Sequence, residues 1–200
     1  MSHYFTNDQE LKHRDINLEY TFNNELFKFK SDSGVFSKNE LDYGSISLLK
    51  VLVKEPIEGK VLDLGCGYGT IGIILKKFNN DLSIDMVDIN ERAIILAKKK
   101  CIINNTNNEV ILSDGLNGIS RRYNCIITNP PIRAGKQVIY KMMDDSYNNL
   151  DKNGSMYVVV RKSQGAKSFM EKLHKLFGNC ELLKKDKGFY IIKSIKDIDN

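Results

Sequence analysis

From Gly59 onward the chain repeats one pattern: a short apolar run, a turn, then a segment whose apolar residues recur every three or four positions. A run of four to six Val-, Leu- and Ile-rich residues suits a buried strand and is too short for a stable helix. The pattern predicts strands at Lys60–Leu64, Leu82–Val87, Glu109–Leu112, Asn124–Thr128 and Ser155–Val160. It predicts helices over Thr70–Phe78, from an Asn90 cap through Ala93, Ala97 and Cys101, from about Gly135 to Leu150, and over Gln164–Phe177. Strands alternating with helices imply a mostly parallel sheet covered on both faces. The last two predicted strands, Cys180–Lys184 and Phe189–Ser194, are separated only by the turn-prone Asp186-Lys187-Gly188. No crossover helix fits there, so these two must pair antiparallel.

The N-terminal stretch reads differently. Leu18–Phe22 and Glu25–Phe29 alternate apolar and polar residues around Asn23-Asn24, which predicts a β-hairpin. Gly34–Lys38 reads as a loop, and Leu41–Lys54 as a helix closed by Pro56. Residues 1–40 are thus expected to form an extension packed on a core domain of residues 41–200. That length suits one domain, at roughly 100–200 residues each. With 42% hydrophobic and 28% charged residues, the chain is neither disordered nor membranous in composition. No apolar run approaches the roughly 18 residues of a membrane helix, and the first residues lack a secretion signal, so a cytoplasmic protein is expected.

Cys66, Cys101, Cys125 and Cys180 are widely spread with no C-x-x-C pair. They read as free thiols in a reducing compartment, and no metal site is expected. The net charge of +5 permits a nucleic-acid partner without demanding one. The run Lys98-Lys99-Lys100 reads as a solvated helix face.

Candidate chemistry lies at the C-terminal ends of the predicted strands, where open α/β sheets bind ligands. Asp63-Leu64-Gly65-Cys66-Gly67-Tyr68-Gly69 follows the first strand and opens a helix. Its glycines let the backbone turn tightly and approach a ligand. Gly67–Gly72 also satisfies the dinucleotide string G-x-G-x-x-G, and Asp88 ends the second strand about 20 residues on. These features alone specify a nucleoside site and leave the chemistry open. Asp63 separates the readings: its carboxylate would repel a pyrophosphate, whereas the ammonium and sulfonium of S-adenosylmethionine tolerate or favour an anion. Asp114, before Gly115, adds a carboxylate where an adenine amine could be bonded, and it fits a plain turn residue equally well. Ile89 and Gly115 complete the candidate nucleoside loops.

Asn129-Pro130-Pro131-Ile132 follows the fourth strand directly. Two prolines rigidify a turn and remove two N–H donors, leaving carbonyl oxygens and the Asn129 amide to accept bonds from a planar amino group. Such a site would hold the nitrogen in line with a sulfonium methyl, so positioning and fixed dipoles supply most of the rate.

The set Asp63–Gly69, Asp88, Asp114 and Asn129–Ile132 resembles the sites of amino-group class I methyltransferases. With Gly34–Ser37 and Leu41–Ser45, the chain is similar over nearly its whole length to the small-subunit ribosomal RNA guanine-N2 methyltransferases. The resemblance implies a Rossmann-like seven-stranded sheet with a reversed last strand, S-adenosylmethionine as cofactor and guanine-N2 in RNA as acceptor. It implies Asn129, Pro130 and Pro131 as the catalytic turn. Asp63, Gly65, Cys66, Gly67, Gly69, Asp88, Ile89, Asp114, Gly115 and Asn129 would hold the cofactor, with Asp42 and Gly44 over its methionine end. Better-known members follow the prolines with Phe-His, where this chain has Ile132-Arg133. Ile132 cannot stack on a base as an aromatic does, so Phe36 and Tyr43 become candidate platforms and Arg133 and Lys136 candidate phosphate contacts. Some members carry an additional N-terminal domain not seen in this sequence. Substrate capture would then rest on the hairpin, a second subunit or basic residues, with monomer and homodimer both open.

Four other readings compete. A protein glutamine methyltransferase also uses Asn-Pro-Pro, usually followed by an aromatic. A non-catalytic RNA-binding assembly factor would bind RNA with a steep salt dependence and no turnover. A nicotinamide oxidoreductase fails on Asp63. Cytosine-C5 methylation needs a nucleophilic cysteine at the Pro-Pro turn, and neither Cys66 nor Cys125 is there.

Overall fold

The computed structural model describes residues 16–31 and 41–197. An antiparallel hairpin, β1 (Ile16–Phe22) and β2 (Glu25–Ser31), precedes helix α1 (Tyr43–Leu52). There follow β3 (Lys60–Leu64), α2 (Thr70–Phe78), β4 (Ser83–Asp88), α3 (Glu91–Ile103), β5 (Glu109–Leu112) and β6 (Tyr123–Thr128). A 3-10 turn at Ile132–Ala134 leads into α4 (Lys136–Asn149), β7 (Leu150–Arg161), α5 (Ala166–Phe177), β8 (Glu181–Asp186) and β9 (Phe189–Ile195).

Seven strands form one sheet in the order β5-β4-β3-β6-β7-β9-β8. The pairs from β5 to β7 are parallel, and β9 runs antiparallel to both β7 and β8. The last strand in sequence is therefore the reversed one, wedged between β7 and β8, as expected. Both tight hairpins use two residues with positive φ, Asn23-Asn24 (47° and 69°) and Lys187-Gly188 (43° and 82°). That conformation matches the twist of the flanking strands.

Alternate residues of the central strands feed two cores. Val61, Cys125, Ile127, Tyr157 and Val159 point to the side of α1, α2 and α3, with Leu48, Leu49, Ile73 and Ala97. Leu62, Leu64, Ile126, Met156 and Val158 point to the other side, with Ile139, Met143, Phe169, Leu173 and Phe177 of α4 and α5. The same alternation places Asp63 on the α2 side, buried. The hairpin closes the first core, with Phe22 edge-on to Phe78 at 5.3 Å between ring centroids. Asn104 holds it in place by accepting from the Lys28 N–H (3.1 Å) and donating to the Lys28 carbonyl (2.9 Å).

Two expectations need correction. β7 begins at Leu150 rather than Ser155, because Asp151–Gly154 is an irregular part of the strand and not a loop. There the Asn153 N–H donates to the Lys196 carbonyl, and the Lys196 N–H donates to the Gly154 carbonyl. The lysine run on α3 is not uniformly solvated either. Lys98 and Lys99 are exposed, but Lys100 is fully buried, with its Nζ 3.6 Å from the centre of the Tyr68 ring. Lys100 follows Ala93 and Ala97 by seven and three residues, so helical geometry puts it on their buried face.

Candidate active site

The turn between β3 and α2 is held from beneath by β4. Gly65 and Cys66 both donate backbone N–H bonds to the Val87 carbonyl at 2.9 Å. Gly67 N–H donates to Asp88 Oδ2 at 2.8 Å, while Asn90 N–H donates to Asp88 Oδ1 at 2.8 Å. Asp88 thus organises the glycine turn, and its oxygens retain lone pairs for a further donor such as a hydroxyl. The glycines divide by role. A Cβ on Gly65 or Gly67 would meet nothing within 4 Å, so both face open space. A Cβ on Gly69 would meet Ile73 Cδ1 at 2.9 Å, so this glycine serves the packing of α2 on the sheet.

Asp63 lies under the same turn. Its Oδ2 accepts from Gly72 N–H at 2.8 Å, and its Oδ1 is buried without a hydrogen-bond partner. Burial first, and the nearby Asp88 charge after it, push its carboxyl up to about 7, against the opposing Gly72 bond. Burial also raises Asp88, takes the Cys66 thiol well above its usual value and lowers Lys100 to about 6. A buried carboxylate oxygen with no donor is costly in isolation. It suits a bound cation.

The loops after β4 and β5 meet beside this turn. Ser113 N–H donates to the Asp88 carbonyl at 3.0 Å. Asp114 is exposed and its carbonyl accepts from Asn117 N–H at 3.2 Å, so it makes the turn while its carboxylate faces solvent. Ile89 is 36% exposed although apolar, and a Cβ on Gly115 would meet nothing within 4 Å. These residues frame a surface with an apolar wall and a carboxylate at its rim.

Asn129 sits where β6 ends. Its Nδ2 donates to Asp42 Oδ2 at 2.6 Å and to Ser45 Oγ at 3.0 Å. Asp42 is also the N-cap of α1, accepting from Ser45 N–H at 2.8 Å. A carboxylate accepts and cannot donate, so this contact fixes which end of the Asn129 amide is nitrogen. With both Nδ2 hydrogens directed to α1, the amide oxygen is the group turned to other donors. Asp42 therefore orients Asn129, and Gly44 keeps the approach close. A Cβ there would lie 3.0 Å from both Asp42 Oδ2 and Phe189 Cε1. Pro131 ends the turn, its carbonyl accepting from Ala134 N–H at 2.8 Å.

Ile132 is half-buried against the α4–α5 core, and Arg133 and Lys136 are exposed beside it. Tyr43 is half-buried, donates its hydroxyl to Asp186 at 2.9 Å and lies 5.8 Å from the Phe189 ring. Phe36 lies outside the described residues. Ser45 was not singled out from the sequence. Its signal is the Asp-x-x-Ser spacing at a helix start, in which a cap acceptor meets the third helical N–H. Among the described residues, no group of three or more His, Cys, Asp and Glu gathers as metal ligands would, and no helix is long and apolar enough to cross a membrane.

A family model described as the methyltransferase small domain matches residues 26–193. The uncharacterized protein YbxB of Bacillus subtilis is 40% identical over 97% of this chain and 98% of its own length. The ribosomal RNA small subunit methyltransferase C of Vibrio cholerae is 33% identical over 84% of this chain and 49% of its own. The chain thus spans about half the length of that curated relative. Among solved structures, the T. thermophilus 16S rRNA methyltransferase RsmC, in complex with AdoMet and guanosine, superposes with a TM-score of 0.82 at 22% identity. That match covers 90% of this chain and 50% of the other.

Proposed function

We propose that this chain, a member of the methyltransferase small domain family, moves a methyl group from S-adenosylmethionine to an exocyclic amino group, guanine-N2 of ribosomal RNA. The observation that carries the reading is the Asn129 amide, whose nitrogen is committed to Asp42 and Ser45. Its oxygen can then accept from an –NH₂ group. When bound, S-adenosylmethionine supplies an electrophilic methyl on a sulfonium.

The residues fit that cofactor. Asp63 has a buried oxygen free for the ammonium end, and Gly65 and Gly67 leave space where any side chain would intrude. Asp88 would take the ribose hydroxyls. Ile89, Asp114 and Gly115 would take the adenine, with Cys66 in the turn and Gly69 packing behind it. On the acceptor side, Asn129 Oδ1 and the Pro130 carbonyl would each take one hydrogen of the amine. Those bonds would draw the nitrogen lone pair out of conjugation with the ring and aim it. The nitrogen would then take the methyl that the sulfonium releases and lose one proton to solvent. No strong base is required, since the methylated nitrogen is acidic. Most of the acceleration comes from positioning and oriented dipoles.

The RNA assignment draws on the relatives named for ribosomal RNA and on exposed Arg133 and Lys136 beside the turn. A tritium methyl-transfer assay on undermethylated small-subunit RNA tests it. Asn129→Ala is expected to lower kcat at least 100-fold with cofactor affinity little changed. Undiminished transfer would remove Asn129 from the mechanism, and label appearing in protein instead would favour a glutamine acceptor.

A further inference from the structure

The C-terminal edge of the sheet carries basic groups beyond the Asn129 turn. Arg161, the last residue of β7, pairs with Phe189 of β9, which pairs in turn with Asp186 of β8. Directly opposed residues share a face of the sheet, so these three form a row across three strands. Phe189 belongs to the core on the α1 side, which places the row under the start of α1. The Arg161 guanidinium carbon lies 4.8 Å from the Phe189 ring centre, and Lys187 Nζ lies 5.0 Å from that of Tyr43. Lys162 extends the edge, its N–H donating to the Gly188 carbonyl at 2.8 Å.

Asp186 does not neutralise these cations. Its oxygens accept from Tyr43 (2.9 Å) and Ser47 (2.8 Å), and Lys184 pairs with it at 3.5 Å. Arg161, Lys162 and Lys187 are exposed and have no ion-pair partner among the described residues. Each ring orders the cation above it, so less freedom is lost when an anion binds. The row is also tied to the catalytic turn. Tyr43 is the residue after Asp42, which holds Asn129.

We infer that Arg161, Lys162 and Lys187 form a phosphate track that grips the RNA strand beside the target nucleotide, an inference that rests on the nucleobase reading above. A base presented to Asn129 must leave its stack, and the phosphates of the strand beside it then need local counter-charges. The three cations lie on one edge, next to the opening through which the amine would enter. Arg133 and Lys136 are exposed just after the same turn and would add counter-charges there.

The test is fluorescence anisotropy with a labelled single-stranded RNA oligonucleotide across a salt series, alongside methyl transfer. The Arg161→Ala/Lys187→Ala variant is expected to bind about tenfold to 100-fold more weakly. Its slope of log affinity against log salt should flatten by about 1.4, the loss of two single-strand phosphate contacts. S-adenosylmethionine affinity and the melting temperature should not change, and Arg161→Lys should recover much of the binding. Lys98→Ala/Lys99→Ala on α3 removes the same charge elsewhere and should leave affinity within about twofold. An unchanged affinity and slope in the double variant would overturn the track even if the wild type methylates RNA. Equal losses in both double variants would overturn it too, as would a wild type that binds no RNA. RNA bound through the track without methyl transfer would refute the enzymatic reading and leave the track standing.

Discussion

Asp63→Asn separates stability from function at the centre of this site. Moving the carboxyl from its ordinary 3.8 to about 7 corresponds to about 4 kcal/mol against the ionised form in the folded, ligand-free chain. The folded state holds this proton more tightly than the unfolded chain. The penalty is therefore absent below the unfolded value, grows as pH rises from about 4 to about 7, and is complete above that. Asparagine keeps the shape and can still accept from Gly72 N–H. It also buries an –NH₂ group, which costs about 1–3 kcal/mol if unpaired. At pH 8 the ligand-free variant should consequently be about 1–3 kcal/mol more stable than the wild type by urea denaturation. Cofactor binding should change in the opposite direction. A hydrogen bond between charged groups contributes about 1.5–3 kcal/mol, so affinity should drop about tenfold to 100-fold by calorimetric titration. At a concentration about 100 times the wild-type Kd, S-adenosylmethionine stabilises the wild type by about 2.7 kcal/mol, and the variant should show well under half the effect if affinity falls 100-fold. A variant no more stable than the wild type, with its ligand-induced shift intact, would refute the assignment of Asp63 to a cationic ligand.

Three further outcomes follow from the same geometry. Gly67→Ala puts a Cβ into open space at φ +55° and should weaken cofactor binding with a stability loss of about 1–2 kcal/mol, whereas Gly69→Ala meets Ile73 and should lose more stability; calorimetry and urea melts distinguish them. Asp42→Ala removes both the α1 cap and the acceptor that fixes the Asn129 amide. It should cost about 1 kcal/mol in stability and lower kcat far more than it raises the RNA KM in steady-state assays. Lys100 is held near 6 by burial, so the folded chain binds fewer protons here than the unfolded one between about 6 and its ordinary 10.5. Stability from this group should rise with pH across that window, and Lys100→Met should flatten the dependence in pH-resolved denaturation.

Much of the site was legible because glycines, prolines and caps punctuate the sequence. Lys60–Leu64 and Thr70–Phe78 match the observed elements residue for residue, since Gly65–Gly69 can only turn between them. Asn90 caps α3 as expected, accepting from the N–H groups of Arg92 and Ala93. Asn23-Asn24 makes the hairpin turn, because asparagine tolerates the left-handed backbone. The β7 start is hidden because Asp151-Lys152-Asn153-Gly154 has the composition of a loop, while Asn153 and Gly154 find a backbone partner in Lys196, just past the end of β9. Lys100 was misplaced because a run of three like residues hides which one turns inward.

What no local pattern could supply is the contact between Asn129 and the start of α1. Those partners are 87 and 84 residues apart, and only the closed sheet brings them together. Asp42 and Asn129 are readable separately, Asp42 as a residue over the cofactor's methionine end. The fold adds that Asp42 accepts from the Asn129 amide and so orients it. Likewise, Arg161 and Lys187 are ordinary surface cations in the sequence; the strand register sets Arg161 against Phe189, and the β8–β9 turn brings Lys187 to Tyr43.

Nucleoside mass spectrometry of small-subunit RNA, incubated with purified protein and S-adenosylmethionine, tests most directly whether the turn at Asn129 directs methylation to an aromatic amine in RNA. N2-methylguanosine is expected at a single position, absent when Asn129→Ala replaces the wild type. Methylation at a ring carbon or ribose oxygen, or equal product from the variant, would contradict it.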